Sequence, residues 1–138
     1  MAERKASRLS ARGLILDAGA LIHVEGNPRG RVYGACRDAL DAGTPALLPT
    51  VVLAQVWRAT SRQAPISMLR RMCRSVPFTG DVAEAAGRLL ALAGTADVVE
   101  AAVVIAAISH GGAVLTSDPG DLGKLANAAG IRVPLITI

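Results

Sequence analysis

Leu14-Ile15-Leu16-Asp17, running on into Ala18-Gly19-Ala20-Leu21-Ile22, and its echo Ala113-Val114-Leu115-Thr116-Ser117-Asp118 decide the fold. Each is a short continuous apolar run of the kind that a strand buried on both faces displays, and each ends in a carboxylate where the pattern turns helical. Between them the pattern alternates. Residues 31–42 read as a helix stopped by Gly43, Ala46-Leu47-Leu48 as a strand, and 51–62 as a helix with Thr50 at its N-cap. A helix over 65–73 and a third strand over 75–78 follow. Asp81 with Glu84 makes a capping-box start for a helix that reaches Gly94. The next helix, 98–110, is apolar nearly all round and stops at Gly111-Gly112, which predicts burial. A short helix over 119–128 and a last strand over 133–138 complete the chain. Strands alternating with helices predict an α/β protein whose parallel sheet is covered on both faces.

The 138 residues are enough for one core and too few for two domains. With 51% hydrophobic and 19% charged residues there is ample apolar surface to offset the entropy of folding. Trp57, Tyr33 and Phe78 are the sole aromatics, which argues against a module that stacks bases on rings. No uncharged run approaches the roughly 18 residues needed to span a bilayer. The basic start (Arg4, Lys5, Arg8, Arg12) ahead of an apolar stretch is interrupted by Asp17 and lacks a small-residue cleavage site, so we expect a cytoplasmic protein without a membrane partner. Residues 1–12 are expected as a flexible basic tail. Cys36 and Cys73 lie far apart without CxxC spacing and read as reduced, buried thiols; His23 and His110 complete no zinc pattern.

Charge is unevenly distributed. No acid occurs between Ala42 and Gly80, where Arg58, Arg62, Arg70, Arg71 and Arg74 fall, while the remainder beyond the tail is net acidic. An arginine-rich side and a carboxylate-rich side suit a polyanion held by its phosphates near a bound cation, although a solvated helix face has the same composition.

In an open parallel sheet, ligands bind beyond the carboxyl ends of the strands, so Asp17 and Asp118 are expected at one rim. Asp97 and Glu100, three apart at the start of the buried helix, share a helical face, as do Asp118 and Asp121. Helix capping alone accounts for either pair. Asp17 is harder to explain that way, because a charge at the end of a buried strand is costly without a partner. Carboxylates gathered at one point require a counterion, and Mg²⁺ or Mn²⁺ takes such oxygens readily, activating a water and orienting a phosphodiester. No GxSxG, GxxxxGK[ST] or GxGxxG motif offers a competing chemistry.

Four segments in this order carry a resemblance: Leu14 to Ile22, Pro49-Thr-Val-Val-Leu-Ala-Gln-Val-Trp-Arg58, Ala96-Asp97-Val-Val-Glu-Ala-Ala-Val-Val-Ile-Ala-Ala107, and Val114-Leu-Thr-Ser-Asp118-Pro-Gly-Asp-Leu122. Together they resemble PIN-domain ribonucleases, and more narrowly the VapC toxins of bacterial toxin–antitoxin pairs, from about Leu14 to the C-terminus. The resemblance implies a single PIN-like domain over 13–138, a three-layer α/β/α sandwich, and Mg²⁺- or Mn²⁺-dependent endonucleolytic cleavage of RNA. It implies that Asp17, Asp97 and Asp118 are the catalytic metal ligands and that Asp121 contributes. Thr116 and Ser117 stand where hydroxyl residues support the first-strand carboxylate. A VapB-type antitoxin and a homodimer are implied as partners. One position departs from the pattern: Gln55 stands where a glutamate is usual, and Glu100, one turn beyond Asp97, is expected to supply the missing charge. Arg58, Arg62, Arg70, Arg71 and Arg74 are expected to grip the RNA backbone or dock a partner. The alternatives are a catalytically weak PIN-like module that binds RNA or a partner, and an α/β hydrolase acting on small phosphorylated substrates.

Overall fold

A computed structural model of the chain describes residues 13–138; the basic stretch 1–12 lies outside the described residues. Five short strands, β1 (Leu14–Leu16), β2 (Leu47–Pro49), β3 (Arg74–Val76), β4 (Ala113–Thr116) and β5 (Leu135–Thr137), form one sheet in the order β3-β2-β1-β4-β5. Every pairing is parallel, as the strand–helix alternation predicts. The helices are α1 (Ala18–Gly26), α2 (Arg31–Asp41), α3 (Thr50–Val56), α4 (Ala64–Met72), α5 (Gly80–Ala93), α6 (Val98–His110) and α7 (Pro119–Ala128).

The order of the strands places the site. From β1 the chain steps outward to β2 and β3, then returns across the sheet to β4 and steps outward the other way to β5. Right-handed crossovers in opposite directions put the two sets of helices on opposite faces. In accord with this, α1, α2 and α4 pack together, as do α5, α6 and α7, while α3 touches both α1 and α6. The connections diverge between β1 and β4, the switch point beyond whose strand ends the crevice of an open parallel sheet is expected.

The central strands are buried throughout, and Ile15 and Val114, paired in register, are fully enclosed. Helix α6 buries Ala101, Ala102, Val103, Val104, Ala106 and Ala107, which accounts for its nearly uniform apolar composition. With so few rings, this core is filled by Ala, Val, Leu and Ile. No single helix among the described residues is long and apolar enough to cross a membrane.

Several local readings are corrected. The helix expected over 51–62 ends at Val56, and the chain turns through Trp57 in an extended conformation and Ala59 at a φ of 59°. Gln63 holds that turn: its side chain accepts from the Arg58 N–H at 2.6 Å and donates to Val56 O at 2.9 Å and Glu25 Oε2 at 3.3 Å. A buried amide fully hydrogen-bonded in this way substitutes for another turn of helix. Thr50 does not cap α3; its hydroxyl accepts from the Phe78 N–H at 3.2 Å and ties the end of β2 to the segment after β3. The cap of α5 is Thr79, which accepts from the Val82 N–H, and Asp81 falls within the first turn. The third strand begins at Arg74, one residue earlier than expected. Cys36 and Cys73 are both free thiols, but only Cys36 is buried and Cys73 is half-buried; the neighbouring Cys73, together with burial, pushes Cys36 up, and Cys36 pulls Cys73 down.

Candidate active site

Asp17 follows β1 directly and is 8% exposed. The register pairs Leu16 with Leu115, so Asp17 stands level with Thr116 at the end of β4. The buried Thr116 hydroxyl donates to Asp17 Oδ2 at 2.8 Å and accepts from the Asp118 N–H at 2.9 Å. Asp17 Oδ1 accepts from the Ala18 N–H at 2.7 Å, capping α1. One threonine thus fixes the carboxylate on one side of the crevice and the backbone that carries Asp118 on the other. Thr116→Val is expected to destabilise the fold by about 1–3 kcal/mol, because it leaves a buried carboxylate oxygen unsatisfied. Thr116→Ser is expected to restore most of that loss in urea denaturation; a valine variant as stable as the parent would contradict the role given to the hydroxyl.

The capping readings hold in part. Asp97 caps α6, its Oδ1 accepting from the Glu100 N–H at 3.0 Å. Asp118 occupies the N-cap position of α7 but makes no side-chain cap hydrogen bond, so its carboxylate is left for other use. Ligand oxygens of Glu100, Asp118 and Asp121 all lie within 4.8 Å of one another, among residues that are half-buried or exposed. Partial burial, then the negative charges of Asp97, Asp121, Asp17 and Asp118, push the Glu100 carboxyl up to about 7. Five carboxylates from three separate stretches of chain therefore act on one another at the rim.

This donor set fits a hard divalent cation: it is all oxygen, it carries excess negative charge, and one of its carboxylates has no cap to satisfy. The strain has a sign that can be measured. Glu100 ordinarily titrates near 4.5, so its proton stabilises the folded state fully below 4.5 and that contribution is lost as pH rises through about 7. A divalent cation favours the ionised form. Mn²⁺ is therefore expected to raise Tm more at pH 8 than at pH 5, measured against EDTA-treated protein; an equal shift at both would show that Glu100 does not face the ion.

The other sequence candidates are spread more widely. Ser117 is exposed at the rim, and a Cβ built at Gly19 in the first turn of α1 would collide with its side chain and lie 2.9 Å from its backbone nitrogen. Gln55 is exposed on α3, which leaves β2 at the same rim, with no hydrogen bond to the carboxylates among the described residues. The arginines belong to several elements. The Arg58 guanidinium turns back onto Trp57 O at 2.7 Å and Ala54 O at 3.2 Å, closing the end of α3. Arg62 lies beside Ile22 and Glu25 of α1, and Arg70 beside Trp57 and Ile66. Arg70 and Arg71 belong to the last turn of α4 and Arg74 opens β3, at the end of the sheet where strands begin, whereas the carboxylates follow strand ends. Lys124, which the sequence reading did not single out, lines a cleft together with Asp97, Glu100 and Asp121.

No protein-family model matches the chain, and no curated protein sequence matches it. Among solved structures, a chain in the crystal structure of VapBC2 from Rickettsia felis bound to a DNA fragment from their promoter aligns with a TM-score of 0.68. The alignment covers 91% of this chain and 98% of that one at 12% identity. The fold is α/β and PIN-like. At this identity the likeness speaks for the course of the backbone alone.

Proposed function

We propose that the chain is a Mg²⁺- or Mn²⁺-dependent endoribonuclease, the toxin of a bacterial toxin–antitoxin pair, with residues 13–138 acting as one PIN-like domain in the cytoplasm. The observation that carries this reading is the convergence of Glu100, Asp118 and Asp121 beside the hydrogen-bonded Asp17 at the crevice between β1 and β4. Asp17, Asp97 and Asp118 are the proposed catalytic metal ligands, with Glu100 and Asp121 completing the charge. The bound cation would neutralise this charge, activate a water and polarise the scissile phosphate. The protein's own part is preorganisation. Thr116 orients Asp17 and anchors Asp118, Ser117 offers a hydroxyl at the rim, and the α6 cap fixes Asp97 beside Glu100. Arg58, Arg62, Arg70, Arg71 and Arg74 are proposed to contact RNA or a VapB-type antitoxin, and the chain to act as a homodimer.

Cleavage of structured RNA in Mn²⁺, abolished by EDTA, is the expected result. One observation favours a second reading, a module that binds without cutting: Gln55 brings no charge to the rim where the resemblance leads one to expect a glutamate. RNA binding without Mn²⁺-dependent cleavage would select that reading.

A further inference from the structure

The cleft shared by the carboxylates extends away from them, between the end of α5, the turn before α6 and the outer face of α7, and it encloses about 590 Å³. Pockets that hold small ligands run to roughly 300–1,000 Å³, so the space suits a nucleotide rather than a duplex. Its floor is aliphatic, from Ala93 and Leu125, with the exposed Leu92 at its edge, and its polar wall is Thr95, Asn127 and Lys124. Lys124 is the one cation among the lining residues, and among the described residues it makes no ion pair. It stands three positions beyond Asp121 on α7, so its ammonium is presented on the same helical face, about one turn from the acidic centre. An unpaired positive charge beside a carboxylate cluster is suited to the second of two consecutive phosphates when the first lies over the carboxylates and their cation.

We infer that this cleft is the subsite for the nucleotide adjoining the scissile phosphate of single-stranded RNA, with Lys124 holding that nucleotide's own phosphate. The inference rests on the nuclease reading and deepens it by naming α7 as the element along which the strand leaves the acidic centre. With no ring in the cleft, the sugar and base rest on aliphatic side chains, and the Asn127 amide and Thr95 hydroxyl are the groups able to pair with a base edge or ribose hydroxyl.

The test measures binding and turnover separately. A fluorescent single-stranded oligouridylate is titrated by anisotropy into the whole chain in Ca²⁺, and cleavage is followed in Mn²⁺. Lys124→Ala is expected to weaken binding about tenfold and to make the dependence of log affinity on log salt shallower by about 0.7, the value for one phosphate contact on a single strand. KM is expected to rise with kcat little changed, Mn²⁺ stabilisation to stay as in the parent, and Lys124→Arg to recover most of the affinity. Arg37→Ala, which removes one positive charge from the Arg37–Asp41 pair on α2, serves as the control and is expected to leave affinity unchanged. Unchanged affinity and salt slope in Lys124→Ala would overturn the inference, as would equal losses in Lys124→Ala and Arg37→Ala. Lys124-dependent binding in a chain that never cuts RNA would refute the nuclease reading while leaving the subsite in place.

Discussion

Asp17→Asn is expected to lower metal-dependent RNA cleavage about a thousandfold, on the order of 4 kcal/mol of transition-state free energy, while the fold survives. The survival follows from shape. The asparagine oxygen can still accept from the Ala18 N–H, and its amide can donate to the Thr116 hydroxyl oxygen in place of the present bond. The loss follows from charge, since an amide cannot offer the anionic oxygen that a hard cation prefers. The substitution also removes one of the charges that push Glu100 up, so the carboxyl should titrate lower in the variant. A Tm within a few degrees of the parent with cleavage lost is the predicted pair of observations, made by thermal denaturation and by kcat/KM in Mn²⁺. Cleavage within tenfold of the parent would remove Asp17 from the ligand set.

Gly19→Ala is the second large effect expected, and it acts without touching a carboxylate. The first turn of α1 approaches the end of β4 so closely that only a residue without a side chain fits against Ser117. A methyl group there must push α1 and β4 apart, at a cost typical of overpacking, roughly 1–3 kcal/mol. That displacement parts Asp17 from Thr116 and Asp118, and misplacement on the scale of 1 Å costs roughly a hundredfold in rate. Adding Ser117→Gly removes the side chain struck and leaves the tight approach to the backbone nitrogen, so the double variant should recover part of both losses. Urea denaturation and kcat measured on the two variants test this; a single variant with parental stability and rate would show that α1 does not depend on this contact.

What was legible in the sequence follows from what burial does to composition. The strands β1 and β4 could be read because burial on both faces leaves uninterrupted apolar residues, and α6 because a helix enclosed on every side has no polar face. The carboxylates at the ends of these strands could be assigned to one rim because parallel strands all point one way. The interactions that escaped are those between residues distant in the chain. Nothing near Val56 marks a helix end; the break is held by the buried Gln63 amide folding back onto Arg58 and Val56, with Glu25 of α1 as its third partner. Thr50 reads as a cap because a hydroxyl residue precedes the helix, and Asp81 reads as one because Glu84 follows it; only the path of the backbone gives the first helix Pro49 and the second Thr79 at that position. Cys36 and Cys73 are brought together by the packing of α2 beside α4, which no spacing encodes. Nothing around Gly19 in the sequence shows that a side chain there would meet Ser117, nearly a hundred positions away. The arginines clustered in the sequence are divided among the end of α3, the turn after it, the last turn of α4 and the start of β3, so their closeness in the chain does not make them one surface.

The central claim is that side chains from the ends of β1 and β4 and the start of α6 share one divalent cation. Diffraction from crystals soaked in Mn²⁺, with data collected for the anomalous signal of the metal, tests it most directly. The predicted result is a peak enclosed by Glu100, Asp118 and Asp121, on the side facing Asp17 and Asp97, that disappears in Asp118→Asn. A Mn²⁺ peak elsewhere on the surface, or none at concentrations that saturate cleavage, would contradict it.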